Sequence, residues 1–94
     1  MKDLKVVNLR HCTYKTLRVD RSSKWGNPFV ITKYNNRDQV IRQYTSWIRK
    51  RPWLIDELID VLEESEYVHL GCWCVPQRCH AHVLLELVNE RRRK

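Results

Sequence analysis

The feature that most narrows the fold is a pair of helical apolar stripes that meet at a proline and run on into a β-prone segment. Asn36 can cap a helix, and Gln39 stands at the reciprocal position of a capping box. Val40, Ile41, Tyr44, Trp47 and Ile48 then recur at the helical period, with Arg37, Arg42, Gln43, Arg49 and Lys50 on the other face. Pro52 ends this helix or opens the next, since proline is tolerated at a first helical position. Trp53, Leu54, Leu58, Val61 and Leu62 form the second stripe, with Asp56, Glu57, Asp60, Glu63 and Glu64 outside. Tyr67–Cys72 reads as a buried strand, Leu4–Leu9 as a short strand and Thr16–Asp20 as a half-buried one. Beyond a loop containing Pro76, Val83, Leu84, Leu87 and Val88 return to helical spacing. The order β, β, loop, α, α, β, loop, α predicts one α/β domain, a small and partly parallel sheet packed by about three helices.

Ninety-four residues leave room for one domain, taken as 1–90 with a basic tail at 91–94. Such a chain buries only about 60–65% of its unfolded surface, so four Trp and four Tyr matter to a thin core. The net charge is +7, but Arg91–Lys94 carries four of the positive charges; without it 14 basic residues face 11 acidic ones, a net +3. Cations at a helix end complement the macrodipole, and they also suit a nucleic-acid footprint. Met1–Arg10 has no apolar core of a signal peptide, and no apolar run is long enough to span a membrane. Cys12, Cys72, Cys74 and Cys79 therefore read as thiols or metal ligands in a cytoplasmic setting rather than as a disulfide framework.

Cys72–His82 concentrates three thiols and two imidazoles between a strand end and a helix start. Ligands bind at such strand ends in open α/β sheets, and the helix start offers unpaired N–H groups. Three chemistries fit. Zn²⁺ could take Cys72, Cys74, Cys79 and either His80 or His82, with Cys12 or His11 as further donors, although the spacing lacks paired zinc knuckles. Cys79 or Cys74 could act as a nucleophile or redox thiol assisted by His80. The thiols could also simply pack or line a pocket, free cysteine being among the most buried residue types.

The Arg21–Phe29 loop is punctuated by Gly26, which permits positive φ, and by Pro28. Arg21 and Lys24 can pair with phosphate, Trp25 can stack on a base, and Asn27 can contact a base edge or ribose. The plainer alternative has Trp25 and Phe29 anchoring the loop in the core while Asn27 satisfies backbone groups.

The stretches Val7-Asn8-Leu9-Arg10, Ser23-Lys24-Trp25-Gly26-Asn27-Pro28-Phe29, Arg37-Asp38, Tyr44, Trp47 and Leu70-Gly71-Cys72-Trp73-Cys74-x-Pro76-x-x-Cys79-His80 together resemble the family catalogued as domain of unknown function 4326. The resemblance runs from Val6 to about Leu87 and implies a phage or bacterial protein of the host cytoplasm. The family pattern has Gly and then an acidic residue after the Cys-His pair, where Ala81 and His82 stand here.

Function is expected at a nucleotide-like ligand pocket formed by the Arg21–Phe29 loop and the Cys72–His80 turn, in a binding, sequestering or enzymatic role. Its ligand-binding residues would be Arg21, Lys24, Trp25, Asn27, Cys72, Trp73 and Cys74. Two other classes compete. A DNA- or RNA-binding module would use Arg91–Lys94 with Arg42, Arg49, Lys50 and Arg51, and a phage effector would dock a host protein. The second helix also leaves room for a homodimer.

Overall fold

The computed structural model describes residues 4–10, 15–73 and 79–92. Six elements follow in chain order: β1 (Lys5–Asn8), β2 (Thr16–Arg18), α1 (Arg37–Arg49), α2 (Pro52–Glu64), β3 (His69–Cys72) and α3 (His80–Arg92). The strands form one sheet in the order β1-β3-β2, with β3 parallel to both neighbours. The sheet is thus wholly parallel among the described strands. Asn8 pairs with Cys72, and Gly71 lies between Val7 and Arg18, so all three carboxyl ends emerge along one edge.

Local chemistry explains the helix boundaries. Asn36 accepts from the Gln39 N–H at 2.9 Å while the Gln39 side chain accepts from the Asn36 N–H at 2.9 Å, completing the expected capping box. Pro52 opens α2. At its far end Glu66 takes a left-handed φ of 56°, and the Tyr67 N–H reaches back to the Leu62 carbonyl, closing a Schellman turn without glycine.

The inward face of α1 is Val40, Ile41, Tyr44 and Ile48, as the stripe predicts, with Trp47 half-buried. In α2 the buried residues are Ile55, Leu58 and Leu62, whereas Trp53 remains 56% exposed. The second stripe is therefore rotated from the one read in sequence. Trp53 stands in the first turn, beyond the reach of the core, and Ile55 takes the inward position. α3 contributes Val83, Leu84, Leu87 and Val88 and packs against α1, α2, β1 and β3. Arg91 and Arg92 belong to its last turn rather than to a separate tail, and Arg91 pairs with Asp56 of α2. No helix among the described residues is long and apolar enough to cross a membrane.

Candidate functional site

The carboxyl edge of the sheet delivers Cys72 as the last residue of β3, while Cys79 and His80 stand at the start of α3. All three are buried, and their ligating atoms lie within 4.8 Å of one another. The two sulfurs are 3.3 Å apart and are not bonded as a disulfide. His80 Nε2 meets the Val19 carbonyl at 2.5 Å, a contact that requires the proton on Nε2 and so leaves the lone pair on Nδ1. Burial lowers the proton affinity of His80; the Val19 carbonyl opposes this, and the Arg21 charge adds to it, so the ring is held neutral. Tyr44 sets the ring plane by an edge contact at 5.3 Å between centroids. Its hydroxyl donates to the Trp25 carbonyl at 2.6 Å. Burial, joined by neighbouring Cys79, pushes the Tyr44 pKa upward, so the hydroxyl stays a donor.

Cys79 also caps α3. Its N–H donates to His82 Nδ1 at 3.1 Å, and the His82 N–H donates to the Cys79 carbonyl at 3.0 Å. His82 thus does at the third helical position what a carboxylate does in a capping box.

The second centre is Asp20, which the sequence reading passed over. Its Oδ2 accepts from Arg18 Nε at 2.8 Å and from Trp73 Nε1 at 2.9 Å. Its Oδ1 accepts from the Ser22 N–H at 3.1 Å and the Ser22 hydroxyl at 2.5 Å. Burial alone would raise the Asp20 pKa, but the donors from Ser22, Arg18 and Trp73 overcome it and bring the carboxyl down to about 2. A carboxylate with both oxygens doubly hydrogen-bonded is a buttress, not a general base. It holds Trp73 in place while leaving that side chain 51% exposed. Arg18 lies over the indole at 5.7 Å, and Asn8 Nδ2 reaches the Trp73 carbonyl at 3.4 Å.

Val19 and Asp20, the two residues before the Arg21–Phe29 loop, meet the residues that flank the β3–α3 connection, Asp20 with Trp73 and Val19 with His80. The loop's own side chains are used differently from the ligand-binding expectation. Trp25 is 6% exposed, with Nε1 donating to the Leu54 carbonyl at 2.8 Å, so it is an anchor rather than a stacking face. Asn27 is buried; its Oδ1 accepts from the Phe29 N–H at 2.8 Å, and its carbonyl accepts from the Arg21 guanidinium. Lys24 turns to Glu57 of α2 at 2.6 Å. Gly26 does not take a positive φ. It is needed for close approach, because a Cβ there would come within 2.5 Å of the Asp20 carbonyl and 2.6 Å of the Arg21 Cα. Trp73, not Trp25, is the exposed indole of the two, and Arg18 lies over its ring. An Asp two residues beyond an Arg, followed by Ser, was the signal that could have revealed this hub, since Asp and Ser side chains readily bond the nearby backbone.

Cys79 and His80, taken in sequence as nucleophile and base, are 3% and 5% exposed and face each other's neighbours rather than solvent. Cys74, Cys12 and His11 lie outside the described residues. Of the cations assigned to a nucleic-acid face, Arg49 approaches Glu90 at 3.7 Å, and Arg51 donates to the Trp47 carbonyl while covering the Trp47 ring at 4.4 Å. Both are engaged within the protein.

The model of the family described as a domain of unknown function (DUF4326) matches residues 5–90. The chain belongs to this family. The match takes in every described element but the last turn of α3, so the hub at Asp20 and the Cys-Cys-His cluster both lie inside the family domain. No curated protein and no solved structure matches the chain.

Proposed function

We propose that this family member binds a small nucleotide-like ligand at the carboxyl edge of its sheet, with the base on Trp73 and the anionic part on Arg18 and Arg21. The observation that carries this reading is the way Trp73 is held. Its indole N–H is fixed by a buried carboxylate and its carbonyl by Asn8, yet half of its surface stays open. In a thin core an aromatic of this size gains about 25 cal/mol for each Å² it buries, so a pinned but exposed Trp is more useful to a ligand than to the fold. Base stacking on such a face is worth about 1–3 kcal/mol. Arg18 uses only Nε for Asp20, so its Nη donors are outside that pair and can meet phosphate. The strand ends of an open parallel sheet are the general location for ligands of this kind.

The reading commits to binding rather than to a reaction, because the enclosed Cys79 and His80 do not present a nucleophile and base to the Trp73 face. A phage origin in a bacterial host cytoplasm is part of the same proposal and follows from the resemblance alone. The test is thermal-shift screening with nucleoside mono-, di- and triphosphates, cyclic nucleotides and ADP-ribose-type compounds. Stabilisation by at least one class, lost in Trp73→Ala and weakened in Arg18→Gln, is the expected result. No stabilisation by any of them at millimolar concentration would overturn the proposal.

A further inference from the structure

We propose that Cys72, Cys79 and His80 form a three-ligand site for a borderline-soft divalent cation of the Zn²⁺ class, stapling the end of β3 to the start of α3. This does not rest on the nucleotide reading, since none of the three residues belongs to the Trp73 face. Two sulfurs and one imidazole suit Zn²⁺ and its neighbours in the transition series and disfavour Mg²⁺ and Ca²⁺, which take oxygen ligands. Among the described residues this is the trio whose donor atoms converge within 4.8 Å, and all three are buried.

Distances agree with that chemistry. Zn–S bonds of about 2.3 Å and Zn–N bonds of about 2.0–2.1 Å at tetrahedral angles place ligand atoms roughly 3.5–3.8 Å apart. The sulfurs stand at 3.3 Å, so the site needs to open by a few tenths of an ångström to accept the ion. The same separation is far longer than a disulfide, for which about 2.05 Å is required.

The surroundings of His80 are those of a ligand imidazole. Metal-bound histidines nearly always donate the second ring N–H to a carboxylate, carbonyl or water, which fixes the tautomer and aims the free nitrogen. Here Nε2 faces the Val19 carbonyl, so Nδ1 carries the lone pair, and the Tyr44 edge restrains the ring. Asp20 does not compete for the ion, because both of its oxygens already accept two donors.

The full chain, expressed without a metal-affinity tag and kept reduced without chelator, is analysed for metal and then titrated with Co²⁺ after metal removal. We expect about one Zn²⁺ per chain as isolated. We also expect a thiolate-to-cobalt charge-transfer band with the intense d–d absorption of a tetrahedral site, saturating at one equivalent. Cys72→Ala, Cys79→Ala and His80→Ala should each weaken Co²⁺ binding on the order of 100-fold or more, beyond what loss of an outer-sphere partner costs. Absence of both zinc and the thiolate band in the folded wild type overturns the proposal, as does a band undiminished in the Cys72→Ala/Cys79→Ala double variant. Because buried substitutions can unfold a small domain, the wild type supplies a second readout. Zn²⁺ should protect Cys72 and Cys79 from alkylation in peptide mapping, and protection confined to Cys12 and Cys74 would refute the site.

Discussion

Asp20 shows how one side chain organises this protein. Four donors converge on a carboxylate that the fold keeps ionised, and through it the tip of β2, the Ser22 turn and Trp73 are held as one unit. Its pKa lies near 2 instead of 3.8, so the folded state favours the charged form. The stabilisation from this group is therefore complete above the unfolded value, near pH 4, and is lost as pH falls toward 2. Asp20→Asn should remove about 2 kcal/mol at neutral pH and flatten the decline in stability between pH 4 and pH 2.5. Urea unfolding at a series of pH values measures both effects, and a wild-type profile parallel to that of Asp20→Asn would contradict the assignment. Tyr44 is the second residue of this kind. Tyr44→Phe leaves the buried Trp25 carbonyl without its hydroxyl donor, and a loss of about 1–3 kcal/mol is expected in the same measurement.

At the scale of elements, the orientation of α2 and the turns around it are the informative features. Leu58 has no exposed surface, while Trp53 is more than half exposed. Leu58→Ala should cost about 2–5 kcal/mol through transfer and cavity terms, and Trp53→Ala should cost under about 1 kcal/mol. The reverse ranking in denaturant midpoints would mean that the helix is rotated by about half a turn. The Schellman turn after α2 places Glu66 where glycine is favoured. Glu66→Gly relieves the left-handed strain at the expense of extra freedom in the unfolded chain, so a net gain of about 0.5–1 kcal/mol is expected from thermal unfolding. At Gly26 the direction is opposite, because an added Cβ meets backbone atoms that cannot move aside.

For the whole molecule, the proposed ion joins a strand to a helix in a domain too small to have stability in reserve. A ligand that binds only the folded chain adds about 4 kcal/mol when present at a thousand times its Kd. Removing it with a strong chelator should lower Tm by more than 10 °C, given about 4–8 °C per kcal/mol for a chain of this size. Differential scanning calorimetry before and after chelation, followed by restoration with Zn²⁺, checks this.

The amino-acid sequence by itself determined the element order, the α1 cap and stripe and the family, because each depends on neighbours within one or two turns or on a contiguous motif; that Pro52 opens α2 was decided by the structure. It also marked the Cys72–His80 segment as chemically unusual, since thiols and imidazoles are rare enough to be conspicuous. Only the tertiary structure decided which aromatic is buried. Trp25 and Trp73 each stand beside a residue able to bond or cover them, and the difference is that the Leu54 carbonyl and the Tyr44 hydroxyl close over one loop while Asp20 props the other side chain outward. The pairing of Cys72 with Cys79 and His80 is likewise decided by the parallel placement of β3 between β1 and β2. That register brings Val19 and its carbonyl to the start of α3, a relation across 61 residues that no local pattern encodes.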